Sequence, residues 1–297
     1  MNQSYKNNFI QAGLIAKQIR SYGKSLIKPG ASYNEVINKI NQKIVELDAI
    51  AAFPPQIALN EIAAHFLPDP DEDIIFSDEV VKLDVGICYQ GAIGDCAVTI
   101  DLSGKYQHLL NAVENALQEA QNIIKVGLEL KEIGKVIYQT ISKFNCSTIK
   151  TLSGHGLGKY KIHTSPVIPN YDNKSTAIIK PGMTFAIEPF ASTGSGHIDE
   201  VGFPYIFSQK RLVSQKKEKE KMVYEKIKAY NGLPFAMHDL RIDGISLAEL
   251  KKIIHEFQKV GMIEGYAALV ETSSGMVAQA ENSVLVDEDG KVFITTQ

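Results

Sequence analysis

The stretch that decides the fold is residues 81–100, VKLDVGICYQGAIGDCAVTI. Two β-rich runs flank Gln90-Gly91, a pair that favours a two-residue hairpin turn. With that turn, Tyr89 pairs with Ala92 and, counting outward, Asp84 pairs with Ala97. Asp95 is two residues from Ala97 and therefore points to the same side as Asp84. The pattern predicts two carboxylates on one face, with Cα atoms roughly 7–8 Å apart.

Two strand aspartates are more often solvated than functional, but three other segments favour a shared site. In SGHGLGKYKIH (153–163), two glycines flank His155 and allow close backbone approach. Such a histidine on its own is more often structural than a ligand. Glu188 and Glu281 lie in the apolar segments MTFAIEPF and GMVAQAENSVLV, with no Lys or Arg nearby. A buried carboxylate needs a positive partner, so these segments indicate a missing cation.

Together these segments supply four carboxylates and one imidazole: Asp84, Asp95, His155, Glu188 and Glu281. Two divalent cations would neutralise the four negative charges. Oxygen-rich ligation with one imidazole suits Mn, Fe(II), Co or Zn better than a thiolate-type zinc site does. The three cysteines have no metal-type spacing and indicate reduced thiols in a cytoplasm.

Composition sets the broad class. The chain has 297 residues, is 44% hydrophobic and 22% charged, and carries a formal charge of −3, which is ordinary for a globular protein. This charge argues against a dedicated nucleic-acid or membrane-surface protein. No apolar run approaches the ~20 residues that a membrane span needs, and the N-terminal segment lacks the apolar core of a signal peptide. We therefore expect a cytoplasmic protein.

The first 50 residues predict two helices, over 4–26 and after a capping pattern at Ser32 and Glu35. The segment IKPGASYNEVINKI aligns without gaps with the later IKVGLELKEIGKVI, which runs from the end of a helix predicted at 106–125, through a turn near Gly127, into a helix predicted at 131–144. Either the chain contains a duplication or helices of like composition match by chance. A true duplication would place the site between two pseudo-symmetric halves.

Residues 209–265 change to Lys/Glu-rich helical sequence, and strand-like sequence resumes at 275–277. We therefore predict one domain from 1–205 and 270–297, with an inserted helical subdomain at 206–269. The charged run at 216–221 is predicted to be a solvated helix face.

Six phrases, in this order along the chain, resemble the signatures of methionine aminopeptidases in the pita-bread metallopeptidase superfamily: NEIAAH, LDVG, GDCAVT, SGHGLGKYKIH, AIEPF and VAQAEN. The long interval between Glu188 and Glu281 resembles the type 2 enzymes, in the short archaeal form. The resemblance implies an α+β pita-bread fold with pseudo-two-fold halves and a winged-helix-like insert. It also implies two divalent metal ions and removal of the initiator methionine from nascent proteins, with a small second residue.

Carried over by position, the resemblance assigns roles. Asp84 would chelate one metal, Asp95 and Glu281 would bridge the pair, and His155 and Glu188 would complete the other shell. A hydroxide between the metals would attack the first peptide bond, with Glu188 as general base and then acid. His163 would contact the oxyanion and His65 the scissile nitrogen. The methionine pocket would comprise Phe53, Ile162, His163, Pro234 and Tyr266.

Two positions depart from the family pattern: Ala280 stands where an aromatic residue is usual, and Asn282 where histidine is usual.

Two alternatives for the function stay open. A proline-specific relative, prolidase or aminopeptidase P, would use the same ligands, but usually carries a large domain before the first aspartate. A catalytically inactive homologue would bind partners or RNA through the insert, whose net positive charge is mild. We expect the protein to be a monomer that binds no specific nucleic acid. Contact with the ribosome is a further option.

Overall fold

The computed structural model describes residues 2–69, 71–211 and 217–297. The described helices are α1 (Gln3–Leu26), α2 (Tyr33–Glu46), α3 (Gln107–Asn122), α4 (Leu130–Ser142), α5 (Glu218–Ala229), the 3-10 helix η1 (Met237–Leu240) and α6 (Leu247–Lys259). The described strands are β1 (Ile50–Ala51), β2 (Gln56–Leu59), β3 (Ile62–Ala64), β4 (Val80–Tyr89), β5 (Ala92–Asp101), β6 (Ser147–Thr148), β7 (Ser153–Gly158), β8 (Lys161–Pro169), β9 (Thr184–Ile187), β10 (Phe190–Ser192), β11 (Ile198–Gln209), β12 (Phe235–Ala236), β13 (Ile263–Glu271), β14 (Val277–Gln279), β15 (Asn282–Val286) and β16 (Val292–Ile294). No described helix is both long and apolar enough to cross a membrane.

In the first half, α1 and α2 pack on the hairpin β4–β5. The register is the predicted one, with Tyr89 opposite Ala92 and Asp84 opposite Ala97. Helix α1 packs so closely on β5 that only glycine fits at position 94. A Cβ on Gly94 would come within 2.5 Å of the backbone of Ala12. The interface is a continuous apolar cluster that includes Ile15, Ile19, Ile37, Ile40, Leu83 and Val85. Each fully buried side chain of this kind contributes about 1.5–3 kcal/mol, so this layer holds the hairpin in place.

The second half repeats this arrangement with α3 and α4 on the sheet β16-β15-β9-β7-β8. The turns between the two helices of each pair have the same conformation, with φ of 85° at Gly30 and 84° at Gly127. In the first half, the N–H of Gly30 donates to the carbonyl of Phe76, and in the second the N–H of Gly127 donates to that of Ile179. The segments that align in sequence therefore adopt the same turn, and each forms an isolated antiparallel bridge, Ser32 with Ile75 and Glu129 with Ile178.

The segment predicted as an insert rises from the four-stranded sheet β12-β11-β13-β3, whose long central pair is the ribbon of β11 and β13. Strands β11 and β13 pair antiparallel from Ile198 opposite Glu271 to Gln209 opposite Ile263. Beyond them, α5, η1 and α6 share a core with Phe207, Phe235 and Phe257. The predicted boundaries at 206 and 269 fall inside these strands, and the division into domains stays a prediction. Lys216 lies outside the described residues; in the rest of the charged run, 217–219 and 221 are exposed and 220 is partly buried.

Glu271 anchors the base of this ribbon. Its buried carboxylate accepts hydrogen bonds from the hydroxyl of Ser195 at 2.7 Å and from the backbone N–H groups of Gly196, Ser273 and Gly275 at 2.8–2.9 Å. Burial raises the pKa of this carboxyl, but these hydrogen bonds outweigh it and hold the pKa at about 2. The ionised form is therefore the one that the fold stabilises.

We predict that Glu271→Gln lowers the free energy of unfolding by about 1–3 kcal/mol at neutral pH, because an amide NH₂ would face N–H donors. The folded pKa is depressed, so the Glu271 contribution is complete above about pH 4.5 and decreases toward about pH 2. Urea unfolding of both proteins at neutral and acidic pH measures this difference. An equal difference at both pH values would contradict the role of the ionised carboxylate.

Candidate metal centre

Five chemically matched side chains converge from both halves of the sheet system. Asp84 lies on β4, Asp95 on β5 and His155 on β7, while Glu188 follows β9 and Glu281 precedes β15. All five line one cavity of about 540 Å³. The Nε2 atom of His155 lies 3.7 Å from an oxygen of Asp95 and 3.5 Å from one of Glu188. One donor atom each from Asp95, His155 and Glu281 lies within 4.8 Å of the others.

The four carboxylates lack cationic partners. Within the described parts of the chain, no Lys or Arg side chain forms an ion pair with them, and Asp84 Oδ1, Asp95 Oδ1 and Glu281 Oε1 are buried without a hydrogen-bond partner. Burial raises the pKa of Asp84 to about 7. Burial and the neighbouring carboxylates raise the pKa values of the other three well above the usual range. Such a donor set fits divalent cations, whose charge would reverse these shifts.

His155 is oriented as a metal ligand. Its Nδ1 lies 3.3 Å from the carbonyl oxygen of Gly156, which assigns the proton to Nδ1. The lone pair of Nε2 then faces the carboxylates of Asp95 and Glu188. Burial, together with the charge of His163, lowers the pKa of His155 to about 3. A neutral imidazole whose lone pair faces ionised carboxylates is repelled by them unless a proton or a metal cation lies between the atoms.

The glycines beside His155 serve packing. A Cβ on Gly154 would come within 2.3 Å of the carbonyl oxygen of Ala186, and one on Gly156 within 2.1 Å of that of Ser165. These contacts are with the neighbouring strands, so the glycines let β7 fit between β8 and β9. Neither glycine lines the 540 Å³ cavity.

The predicted substrate residues line the same cavity: Phe53, His65, Ile162, His163, Pro234 and Tyr266. The rings of His155 and His163 meet edge to face, with centroids 4.4 Å apart. The ring of His65 lies 5.6 Å from that of Tyr266, and His65 has a φ of 59°, which is rare for a non-glycine residue. Burial, with the charge of His163, lowers the pKa of His65 to about 4. Desolvation and the charge of Lys210 also lower that of His163.

Sequence reasoning missed two contributors, Gln279 and Arg20. The amide nitrogen of Gln279 lies 3.5 Å from an oxygen of Asp84 and 3.3 Å from one of Glu188. From α1, the guanidinium of Arg20 donates to the backbone carbonyl of Glu281 at 2.9 Å, to Asn282 Oδ1 at 3.0 Å and to the carbonyl of Thr296 at 2.7 Å. Gln279 was detectable as a polar residue two positions before Glu281.

The two departures from the family pattern lie beside these contacts. Asn282 accepts hydrogen bonds from Arg20 and, at 2.8 Å, from the hydroxyl of Thr296. Ala280 is buried against the apolar cluster of α3 and α4. Neither change removes one of the five converging side chains.

We predict that Gln279→Leu weakens metal binding by about 10–100-fold, because it removes the amide donor that orients Asp84 and Glu188. Competition with a chelator, read by elemental analysis, measures the change. Gln107→Leu on the exposed start of α3 is the control. Equal metal retention by the Gln279 and Gln107 variants would refute this role.

Residues 7–288 match the model of metallopeptidase family M24, and the chain belongs to that family. Over 294 residues this chain is 36% identical to the methionine aminopeptidase of Pyrococcus horikoshii. The aligned region covers 98% of this chain and 99% of that relative. Its fold is similar to that of the methionine aminopeptidase of Thermotoga maritima, with a TM-score of 0.72 at 22% identity, covering 100% and 98% of the two chains. The fold is also similar to that of a structure named as a thermophilic Arx1, with a TM-score of 0.85 at 12% identity. The match covers 99% of this chain and 91% of that chain. The predicted α+β pita-bread fold is confirmed.

Proposed function

We propose that this protein is an aminopeptidase that removes the N-terminal methionine from newly made proteins. The observation that carries the proposal is the convergence of five metal-ligand side chains at one cavity whose wall also holds two neutral histidines and an apolar group of residues. The full-length similarity to curated methionine aminopeptidases supports methionine as the substrate residue. Proline-specific peptidase activity and an inactive binding homologue are the alternatives that the experiment below separates.

We further propose that two divalent ions, of Co, Mn, Fe(II) or Zn, occupy the site. Asp84, Asp95, Glu281, His155 and Glu188 would hold them, since four carboxylates match four positive charges. When bound, such ions supply Lewis acidity and a nucleophile at neutral pH. Their number and identity are parts of the proposal that elemental analysis decides.

The chain's own side chains would move and hold protons. Glu188 lies at the end of β9 with one oxygen toward His155 and the other toward Gln279. It would accept a proton during attack on the peptide carbonyl and return it to the leaving amine. His65 and His163 stay neutral because their pKa values are lowered. Each can donate one N–H, His163 to the developing oxyanion and His65 to the peptide.

Substrate selection would depend on the apolar wall. Phe53, Ile162, Pro234 and Tyr266 line the cavity with His163, and an unbranched thioether side chain suits such an irregular apolar surface. Phe53 fits beside β4 because Gly86 has no side chain: a Cβ there would come within 2.2 Å of the Phe53 ring. Preference for a small second residue belongs to the proposal. Action in the cytoplasm, a monomeric state and ribosome contact stay predictions.

The test is a peptide panel with the metal-loaded full-length protein. Met-Ala-Ser should be hydrolysed to methionine and Ala-Ser, while N-acetyl-Met-Ala-Ser and Leu-Ala-Ser should be poor substrates. Met-Phe-Ser tests the preference for a small second residue. Faster cleavage of Ala-Pro or Ala-Pro-Ser than of Met-Ala-Ser would favour a proline-specific enzyme. Absence of bound metal, with no hydrolysis in the panel after metal addition, would favour the inactive homologue.

A further inference from the structure

Gln56 is a buried polar residue of the metal cavity to which neither the ligand set nor the proposed reaction assigns a role. It is the first residue of β2 and is 6% exposed. In the ladder of β2 and β4 it pairs with Asp84, and directly opposed residues of an antiparallel pair carry their side chains on the same side of the sheet. Both side chains line the cavity of about 540 Å³. The strand pairing therefore fixes Gln56 beside one of the converging carboxylates.

The side-chain oxygen of Gln56 contacts the backbone of His65. The N–H of His65 donates a hydrogen bond to Gln56 Oε1 at 2.8 Å. Because a backbone N–H can only donate, this contact identifies the oxygen end of the amide group. Gln56 thus links the strand beside Asp84 to the residue that the proposed reaction uses as a donor to the peptide.

His65 adopts a backbone conformation that needs such support. It is the first residue after β3, which pairs with β13 as far as Ala64 opposite Leu269. Its φ of 59° lies in the left-handed region, which a residue with a Cβ keeps only when its surroundings fix it. The imidazole forms no hydrogen bond with a described residue, and its ring centroid lies 5.6 Å from that of Tyr266. The direction of the imidazole therefore depends on the backbone that Gln56 holds.

We propose that Gln56 is a positioning residue that fixes His65 relative to Asp84. Without the Gln56 acceptor, the His65 N–H would lose its partner and the left-handed conformation would relax, which moves the imidazole. The effect of this movement on catalysis rests on the proposed function, since a displacement of about 1 Å can reduce turnover by up to about 10²-fold. The hydrogen bond itself can be tested without any substrate.

The hydrogen bond is tested by amide hydrogen exchange of the zinc-loaded full-length protein, followed by NMR. We expect the His65 N–H to be protected, and Gln56→Met to speed its exchange about five- to tenfold, the effect of one hydrogen bond. Methionine keeps the unbranched shape of glutamine but offers no strong acceptor. Gln56→Glu keeps an acceptor oxygen and should keep the protection. Gln121→Met, a matched change at a buried glutamine of α3 outside the cavity, should leave the exchange of His65 unchanged.

The catalytic consequence is tested by a double-mutant cycle on Met-Ala-Ser hydrolysis that combines Gln56→Met with His65→Ala. We expect Gln56→Met to lower kcat about tenfold, with KM and metal content unchanged within about twofold, because the His65 donor acts in the transition state. In the His65→Ala protein the same substitution should change kcat by less than about twofold. A residue that only stabilises the fold would lower kcat by an equal factor in both backgrounds.

Three results would overturn the proposal. These are an unprotected His65 N–H in the unaltered protein, protection unchanged in Gln56→Met, and a kcat that Gln56→Met leaves unchanged or lowers equally in both backgrounds. The first result needs no variant, so the test stays decisive if neither Gln56 variant folds. Absence of hydrolysis with every peptide of the panel would instead refute the proposed function, and the exchange measurement would still decide whether Gln56 fixes His65.

Discussion

Glutamine in place of Glu188 is expected to reduce kcat for Met-Ala-Ser by about 10²–10⁴-fold, the range that general acid–base groups contribute. The amide keeps the size of the side chain and its oxygen toward the site, but it cannot accept and return a proton. Steady-state hydrolysis, with elemental analysis of the same sample, measures the effect. If the Glu188→Gln protein retains its metal and its kcat, the proposed role of Glu188 is wrong.

His65→Ala is the matched control, because His65 lines the same cavity without belonging to the carboxylate cluster. We expect it to retain metal while kcat falls about 10²-fold, the loss typical of one hydrogen-bond donor to the transition state. Comparison of the Glu188→Gln and His65→Ala proteins separates a fall in kcat at unchanged metal content from a fall that is caused by loss of metal. Unchanged hydrolysis by His65→Ala would remove His65 from the mechanism, and metal loss in His65→Ala would mean that it is a ligand.

Removal of metal is expected to have the largest effect on stability. Four carboxylates with raised pKa values would then share one site without a counter-charge. Because the folded pKa of Asp84 is about 7, the folded metal-free protein binds protons that the unfolded chain does not bind at the same pH. Its stability should therefore fall as pH rises from about 6.5 to about 8. Below about pH 6.5 the buried histidines oppose this trend, since their folded pKa values are lowered.

The measurement is the Tm of the chelated protein at several pH values in this window, beside the metal-loaded protein. The loaded form should show the opposite slope, because ligands must lose protons to bind metal. Asp84→Asn removes one titrating group and should both raise the Tm of the chelated protein at about pH 8 and flatten its pH dependence. A chelated protein that becomes more stable with rising pH across this window would contradict the charge assignment.

The hairpin and the ligand set were predictable because their signals are local. A two-residue turn at Gln90-Gly91 fixes the register, and the register places Asp84 and Asp95 on one side. His155, Glu188 and Glu281 were recognisable because each polar side chain interrupts an apolar or glycine-rich segment without a nearby cation. The cluster could be inferred from charge balance before any distance was known.

Other features depend on contacts between residues far apart in the sequence. Arg20 is 261 residues from Glu281, and nothing in the helical pattern of α1 distinguishes it from a solvated arginine. The predicted limits of the insert fell inside β11 and β13 because the paired strands continue through the change in composition that marked those limits. Periodicity identifies the type of an element, but the position of a boundary depends on which strand the chain finds as a partner.

The contact between Arg20 and the segment after β14 also affects how the molecule is assembled during translation. Helix α1 carries the guanidinium, but the carbonyl groups that it contacts are synthesised 261 and 276 residues later. Glu281 is likewise made after the other four converging side chains. A chain synthesised only as far as β14 therefore lacks one of the five side chains, and a metal site that needs all five is complete only after the segment from Glu281 onward has docked.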